Sequence, residues 1–492
     1  MKLTVSGVRF VAANLMIDVA VAVAVAVAVA VAVAGPGRRG VGGAGWGMRA
    51  GFPAGHVGQG PTGGSVMADE RRADAGGTAG AGRAGGLRGV ARSGRTRWWA
   101  RGAQVVRRVP EPWGFVFAVF VGSKLVLTLV GVLVLTAWDG VPGAPPADET
   151  GMREQQDAIS SHRWISLWFA WDSFLYDHLA RLPLDRPWTD FGFPLLYPFL
   201  ARPIAPLLGG HTAWALLLIS NVALVFQLYF AYRLGGRLLG GAGPDDGRRA
   251  VRYLMLLPTA FLFQAALTES LFVCLALAAF WYAERSRWLL VGVIGYFLAM
   301  SRSVGFLVVV PLALVLLREH GWRAGPRAWP RLLRQGWPLL LVPAGWLTFM
   351  AFCRWQSGDW FAYQHAQETG WGIRLQNPLG VAGSALFGGN SADALRVWIA
   401  VAVVAVAAVG LRRRADWPYL VYTLVVVLVP LSMGTPVYKS LLRYLLAAFP
   451  VAFVLARWAR RPGLDGWLTA ALALLQGALF AVWLTYWTHL II

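Results

Sequence analysis

Charged residues and cysteines are both scarce in this 492-residue chain, and each scarcity excludes a class of protein. Charged residues make up only 14% of the sequence and hydrophobic residues 57%, with a mean hydropathy of +0.54, which excludes an ordinary soluble domain or a disordered chain. The two cysteines, Cys274 and Cys353, lie inside or at the edge of apolar runs, so neither a disulfide framework nor a cysteine-based metal site is supported. The composition indicates an integral membrane protein.

Lysine is also scarce, and the positive charge of the chain is carried almost entirely by arginine. The 45 Lys and Arg residues outnumber the 24 Asp and Glu residues and give a net charge of +21. In a soluble protein this imbalance would favour nucleic acid as a partner, but much of the basic charge lies in short stretches between long apolar runs. We interpret it as a mark of membrane topology and expect no nucleic-acid partner.

The first 110 residues differ in kind from the rest. An Ala-Val tract at residues 19–34 precedes a Gly-, Arg- and Ala-rich stretch that contains few large apolar groups. Two interpretations of the tract are open: a signal peptide or additional span, or a translated nucleotide repeat ahead of a true start near Met67. We predict that residues 1–110 form a low-complexity, disordered basic region, because they cannot bury enough apolar surface to offset the entropy of ordering.

Residues 111–492 are predicted to form an all-α polytopic membrane domain with about 11 transmembrane helices. A span needs about 20 apolar residues, and several of the candidate runs are shorter. The candidate spans are residues 113–138, 212–232, 251–266, 268–283, 288–301, 304–317, 337–353, 396–411, 417–432, 441–456 and 466–488.

Arginine alternates between successive loops of this arrangement. Every second loop is basic, whereas residues 139–190 are rich in Asp and Glu and residues 354–393 contain few cations. Because cytoplasmic loops carry the excess of Lys and Arg, we expect the N-terminus inside and the C-terminus outside. The predicted location is the plasma membrane, with the functional site on the extracytoplasmic face.

The first external loop contains a carboxylate embedded in aromatic residues, Asp172 within the segment WFAWDSFLYDHL of residues 168–179. Trp and Tyr mark the headgroup level, so we predict that this segment lies along the membrane surface as an amphipathic helix. Asp172 is the candidate general base, and Asp177 is a weaker candidate for a supporting role. The alternative is that Asp172 caps the helix or pairs with Arg163 or Arg181.

Further ionisable residues lie at span ends on the same predicted face. Glu269 and Arg302 each begin or end an apolar run, and they could pair with one another. Lys439, Arg443 and Tyr444 lie near the start of the tenth run. A carboxylate beside several cations suits a reaction whose leaving group is a phosphate, because the carboxylate accepts a proton while arginine stabilises the phosphate charge. We find no nucleotide-binding motif and no cluster of metal ligands.

Six segments between Trp164 and Pro450 resemble the PIG-V-like mannosyltransferases, a family that includes the enzyme adding the second mannose to GPI anchors and belongs to the GT-C superfamily of membrane glycosyltransferases. They occur in the family's order and on the predicted outer face. The segments are Trp171-Asp172-Ser173; Phe193-Pro194-Leu195-Leu196-Tyr197-Pro198; Pro258 with Glu269-Ser270-Leu271-Phe272; Ser301-Arg302-Ser303-Val304-Gly305; Gly358-Asp359-Trp360-Phe361-Ala362-Tyr363 with Ala366-Gln367 and Trp371; and Arg443-Tyr444-Leu445-Leu446-Ala447-Ala448-Phe449-Pro450.

The resemblance implies a GT-C-type fold and an inverting transfer of mannose. The donor would be polyprenyl-phosphate mannose in the membrane, and the acceptor an extracytoplasmic lipid, glycan or protein. It also implies that Asp172 is the catalytic base. The sequence indicates no cofactor and no metal, and it leaves dependence on a divalent metal open.

The remaining roles follow from residue chemistry. We expect the phosphate of the donor to be bound by Arg302, Arg443 and Lys439, with support from Glu269, Trp171, Asp177 and Tyr444. Trp171, Trp360 and Trp371 could stack on sugar or line a lipid groove. Two alternatives are a transporter or flippase of lipid-linked sugars and a non-catalytic scaffold that keeps the fold.

Overall fold

The computed structural model describes residues 111–139, 152–181, 184, 190–240, 244–434 and 440–485, and all regular structure within these ranges is helical. The low-complexity region predicted for residues 1–110 and the candidate Lys439 lie outside them. The α-helices are α1 (Trp113–Asp139), α2 (Met152–Ile159), α3 (Arg163–Ser166), α4 (Asp172–Ala180), α5 (Leu196–Ile204), α6 (Thr212–Leu238), α7 (Pro244–Met255), α8 (Glu269–Ala283), α9 (Trp288–Ser301), α10 (Val309–Glu319), α11 (Trp329–Gly336), α12 (Leu341–Ser357), α13 (Ala362–Trp371), α14 (Pro378–Phe387), α15 (Ser391–Gly410), α16 (Trp417–Ser432), α17 (Leu441–Tyr444), α18 (Phe449–Trp458) and α19 (Pro462–Leu484). Short 3-10 turns connect several of them, among them Ala260–Gln264, Ser303–Val308 and Leu445–Ala447.

The described chain is an all-helical, multi-pass membrane protein. Six of the eleven predicted runs form helices that are long and apolar enough to cross a membrane. A seventh crossing results if α17 and α18, which meet at a bend of 70°, count as one broken span. The number eleven is therefore not confirmed. The six helices are Trp113–Trp138, Thr212–Leu238, Trp329–Ser357, Ser391–Gly410, Arg414–Ser432 and Pro462–Leu484.

The predicted span at residues 251–266 is instead a helix that stops early. Helix α7 ends at Met255, and the chain continues through a 3-10 turn before α8 begins at Glu269. Pro258 accounts for the break, because proline has no N–H for the helix and disfavours helical backbone before it. All residues from Ala260 to Thr268 are buried, so this irregular backbone is covered by protein rather than exposed to lipid.

Helix α8 separates two polar layers of the molecule. Its 15 residues span about 20 Å, with Glu269 in its first turn and Glu284 just after its last residue. We call the layer around Glu284 the basic end, because arginines of the predicted cytoplasmic loops meet there. Its ion pairs include Arg248–Glu111, Arg252–Asp465, Arg318–Glu284, Arg237–Glu284, Arg457–Asp416 and Arg460–Asp246.

Glu284 is the central acceptor of the basic end, and its removal should destabilise the protein. The Tyr419 hydroxyl donates to Glu284 Oε1 over 2.6 Å, and Arg318 donates to the same oxygen. The Glu284→Ala substitution leaves both donors without this acceptor, so we expect the free energy of unfolding to fall by about 1–3 kcal/mol, less than for a fully buried pair. Denaturant titration of the purified protein measures it. The Asp245→Ala control, whose side chain is 82% exposed, should unfold like wild type.

The segment predicted to lie along the membrane surface is embedded in the protein, which corrects that prediction. Residues 167–170 are irregular and at most 2% exposed, and α4 buries five of its nine residues. Helix α4 packs against α5 and α6. The segment is drawn inwards because its polar side chains find partners inside the protein and do not need water.

Close packing of α9 against α12 and the 3-10 turn before it, Trp337–Leu340, fixes the position of the backbone that leads to Arg302. A side chain at Gly345 would collide with the carbonyl oxygen of Tyr296, and one at Gly292 with the carbonyl oxygen of Pro338. Small residues allow membrane helices to approach to this distance. The rigid pair therefore holds the end of α9, and Arg302 follows directly after it.

Candidate active site

Asp172 is held at the start of α4 by a tight turn. The Ser173 N–H donates to the Ala170 carbonyl over 3.1 Å, and the Ala170 N–H donates back to Ser173 Oγ over 3.2 Å. The residues before the turn are tied to the irregular stretch between α7 and α8, which we call the broken segment, since the Ala266 N–H donates to the Trp168 carbonyl over 2.9 Å. Asp172 thus sits on backbone that is fixed on both sides.

Glu269 is positioned by a network of hydroxyl groups between α8 and α6. Ser270 Oγ donates to the Ser220 carbonyl over 2.9 Å, and Ser220 Oγ donates to the Leu267 carbonyl over 2.8 Å. The Tyr197 hydroxyl lies 2.7 Å from Ser220 Oγ and donates to the Leu216 carbonyl. These bonds satisfy the non-helical backbone just before α8 and fix the direction in which Glu269 projects.

Two arginines join the two carboxylates into what we call the acid–base cluster, Asp172, Glu269, Arg302 and Arg443. Arg443 on α17 donates through Nη1 to Asp172 Oδ2 and through Nε to Glu269 Oε1. Arg302 Nη1 donates to the same Glu269 oxygen over 2.9 Å. The pairing of Glu269 with Arg302 that the sequence suggested is present, whereas Asp172 pairs with Arg443 and not with Arg163 or Arg181.

The acid–base cluster is buried except at Asp172. The side chains of Glu269 and Arg443 are 1% and 3% exposed, Arg302 is 11% exposed and Asp172 is 24% exposed. Two carboxylates face two guanidinium groups, so the formal charges cancel. A buried set of charges requires such pairing, because an unpaired ion would bear the full cost of desolvation.

Several atoms of the cluster have no partner among the described residues. Asp172, whose side chain is 24% exposed, accepts only at Oδ2, so its Oδ1 has no partner among the described residues. Glu269 Oε2 is buried and accepts no hydrogen bond. Each guanidinium group carries five N–H donors, of which Arg443 uses Nε and Nη1 and Arg302 uses Nη1. The cluster therefore retains both donors and acceptors for a ligand.

Two tyrosines border the cluster, and one of them was not singled out from the sequence. The Tyr444 ring lies under the Arg302 guanidinium, with its centroid 4.7 Å from the guanidinium carbon. Tyr176 is buried beside Asp172, and its hydroxyl lies 3.4 Å from Thr268 Oγ1. Burial, followed by the charge of Asp172, raises the pKa of Tyr176 above its usual range, so it remains a neutral phenol. Its spacing of four residues from Asp172 was the available signal.

Asp177 lies apart from the cluster. It accepts hydrogen bonds from Arg181 and from the Thr212 hydroxyl, which ties α4 to the start of α6. Five residues beyond Asp172 on a helix, it points to another side of α4. Its contacts are those of a structural tie between helices.

A cavity of about 690 Å³ lies nearby, and Ser303, the residue after Arg302, is part of its lining. Its walls come from the 3-10 turn Ser303–Val308, α12, α13 and the end of α16, and they are mainly apolar or aromatic. Trp360 is half exposed in this lining, and Trp371 packs edge-on against Phe193 nearby, with ring centroids 5.3 Å apart. This is the size and character of a site for an organic ligand.

The six segments that carry the family resemblance converge on this region. Besides the contacts within the acid–base cluster, Tyr197 of the second segment packs against Tyr176, with centroids 5.2 Å apart. The fifth segment reaches the second through Trp371, whose ring packs edge-on against that of Phe193 with centroids 5.3 Å apart. Segments separated by as many as 271 residues in the chain therefore build one site.

No group of three or more His, Cys, Asp or Glu side chains in the described ranges is arranged to hold a metal ion. The chain matches no protein-family model, no curated protein and no solved structure.

Proposed function

We propose that the protein is a membrane glycosyltransferase of the GT-C type that transfers mannose from polyprenyl-phosphate mannose to a hydroxyl group outside the cytoplasm. One observation carries this proposal: a carboxylate with one open oxygen, on Asp172, is linked through Arg443 to a buried carboxylate and a second arginine. A base and a phosphate-binding pair are the two requirements of such a transfer.

The proposed reaction is a single displacement at the anomeric carbon. Asp172 Oδ1 takes the proton of the acceptor hydroxyl while the hydroxyl oxygen of the acceptor forms a bond to the anomeric carbon. The bond from the carbon to the phosphate oxygen breaks at the same time, and its electron pair leaves with polyprenyl phosphate. Arg302 and Arg443 bind the phosphate through their remaining N–H groups, and Lys439 retains its proposed role as a third cation.

The charge of the acid–base cluster couples the two halves of this step. Before the reaction its formal charges cancel, and Arg443 is shared between Asp172 and Glu269. When Asp172 accepts the proton, the cluster gains one positive charge and Asp172 holds Arg443 less strongly. Positive charge therefore becomes available at the moment the phosphate leaves, which stabilises the transition state more than the ground state.

Two further features support the membrane setting of the proposal. The acid–base cluster lies at the opposite end of α8 from the basic end, and arginine-rich ends face the cytoplasm, so the site would face outwards. The cavity is mainly apolar, as binding of the lipid chain of the donor requires, and its lining includes Ser303, the residue after Arg302.

The test is transfer of labelled mannose from synthetic polyprenyl-phosphate mannose by purified protein in proteoliposomes that contain a membrane extract as the source of acceptor. We expect a labelled product and an equal amount of free polyprenyl phosphate. Arg302→Gln should raise KM for the donor about 10- to 100-fold, because a hydrogen bond to a charged group contributes about 1.5–3 kcal/mol.

Arg323→Gln is the matched control, because Arg323 is an exposed arginine in the loop between α10 and α11 on the basic side. It should leave both KM and kcat unchanged. An equal rise in KM for both variants would mean that the phosphate responds to general positive charge, and absence of any transfer by wild type would reject the proposed reaction.

A transporter of lipid-linked sugars is the second candidate, and one observation favours it. Lys124 lies near the middle of α1 and donates to the Gln264 carbonyl on the broken segment over 3.1 Å. A cation beside a discontinuous helix at this depth is typical of transporters. The same proteoliposomes separate the two functions, since a transporter moves the labelled lipid across the bilayer without releasing polyprenyl phosphate.

A further inference from the structure

The backbone at Trp171 adopts a conformation that residues with side chains disfavour. Its φ of 53° and ψ of −116° place it at the first central position of the turn from Ala170 to Ser173, which the 3.1 Å hydrogen bond between those residues closes. Glycine is preferred at this position, because φ is positive. A tryptophan there is strained, and strained residues persist where the surrounding structure or the function requires them.

The indole N–H of Trp171 has no hydrogen-bond partner in the described ranges. It is buried and no described residue accepts its hydrogen, which is also true of Trp138, Trp168 and Trp483, but among these four only Trp171 has a positive φ. Buried indole N–H groups usually have an acceptor, so an unpartnered one requires an explanation. Trp322 shows the opposite case: it also has a positive φ, of 62°, but its ring lies 5.7 Å from the Trp417 ring and 5.0 Å from the Arg414 guanidinium carbon. These contacts account for a tryptophan with a positive φ at position 322.

We infer that Trp171 binds the sugar of the donor, with its N–H donating to a sugar oxygen and its ring lying against the apolar face of the pyranose. Trp171 directly precedes Asp172, and both belong to the turn from Ala170 to Ser173, so we expect a ligand at the Asp172 carboxylate to lie near the indole. A neutral indole suits a neutral hydroxylated group, whereas the phosphate has Arg302 and Arg443. This inference rests on the proposed function for the identity of the sugar.

The strain has its own test, which needs no ligand. Trp171→Gly and Trp171→Ala both remove the indole, but only glycine accommodates a positive φ. We expect the glycine variant to have the higher midpoint of thermal unfolding, the reverse of the order at an ordinary helical position. A more stable alanine variant would overturn the claim that this turn constrains Trp171.

The sugar contact is tested by fluorine NMR of protein labelled with 5-fluorotryptophan, with the resonance of residue 171 assigned by its loss in Trp171→Phe. One probe is a short-chain prenyl-phosphate mannose, and the other is the same prenyl phosphate without the sugar. We expect the resonance to shift with the mannose probe alone. An equal shift with both would place the phosphate at Trp171 and overturn the inference, as would a mannose probe that binds without a shift.

Transfer kinetics provide a further readout. Trp171→Phe keeps an aromatic ring but loses the N–H, and should lower kcat/KM about 3- to 10-fold, the contribution of one neutral hydrogen bond. The control, Trp322→Phe, should leave transfer unchanged. If the mannose probe binds and shifts the resonance but no transfer occurs, the proposed reaction is rejected and the sugar contact stands. Undiminished transfer by Trp171→Phe and Trp171→Gly would overturn the contact.

Discussion

Replacing Arg443 by methionine is expected to lower the free energy of unfolding by about 3–5 kcal/mol and to abolish transfer. Arg443 is 3% exposed and is the donor shared by Asp172 and Glu269. Methionine fills much of its volume but leaves two carboxylates facing a single remaining guanidinium, that of Arg302. The loss would therefore come from the unpaired negative charge rather than from a cavity. Denaturant titration of the purified protein measures the stability.

Arg457→Met is the matched control, since Arg457 belongs to the same bent helix pair but lies at the basic end. It donates to the Gly410 carbonyl over 3.0 Å and is 28% exposed, so its replacement should cost less. A double variant, Arg443→Met with Glu269→Gln, should recover part of the stability by removing one of the two negative charges. A single Arg443 variant as stable as the Arg457 variant would contradict the buried-charge account.

The long helices could be predicted from hydrophobic runs, and the interrupted ones could not. The run at residues 113–138 matches α1 almost residue for residue. A helix that faces lipid is apolar on nearly every side, and only 6% of the most apolar stretch of α1 is buried inside the protein. The run at residues 251–266 was also predicted as one span, yet it contains a buried break after Met255. Hydropathy measures preference for an apolar environment and does not distinguish lipid from protein interior.

The candidate site was predictable as a set of residues but not as a set of contacts. Glu269, Arg302 and Arg443 were identified because charges at or near the ends of apolar runs are costly and need a reason, and Asp172 because it is a carboxylate embedded in aromatic residues. Their partners depend on the tertiary fold: the alternative considered for Asp172 was a cap or a local pair with Arg163 or Arg181, whereas Asp172 pairs with Arg443, 271 residues away. Tyr176 was overlooked because its only signal was its spacing of four residues from Asp172.

Asp172→Asn is expected to reduce kcat for mannose transfer about 10²- to 10⁴-fold while the protein remains folded. Asparagine has nearly the same shape, and its carbonyl oxygen can still accept from Arg443, so the contact with α17 is preserved. It cannot take up the proton of the acceptor hydroxyl. KM for the donor should change little, because the two arginines and their bonds to Glu269 are unaffected.

Asp416→Asn is the control for this prediction, because Asp416 also lies at a helix start and near an arginine, 3.7 Å from Arg457, but at the basic end. Its transfer rate should equal that of wild type. Asp172→Glu should recover little, since the longer side chain moves the carboxylate away from its bond with Arg443. Transfer by Asp172→Asn at the wild-type rate would exclude Asp172 as the base. If kcat falls and donor binding is retained, the loss lies in the chemical step, as the coupling of proton uptake to phosphate departure through Arg443 requires.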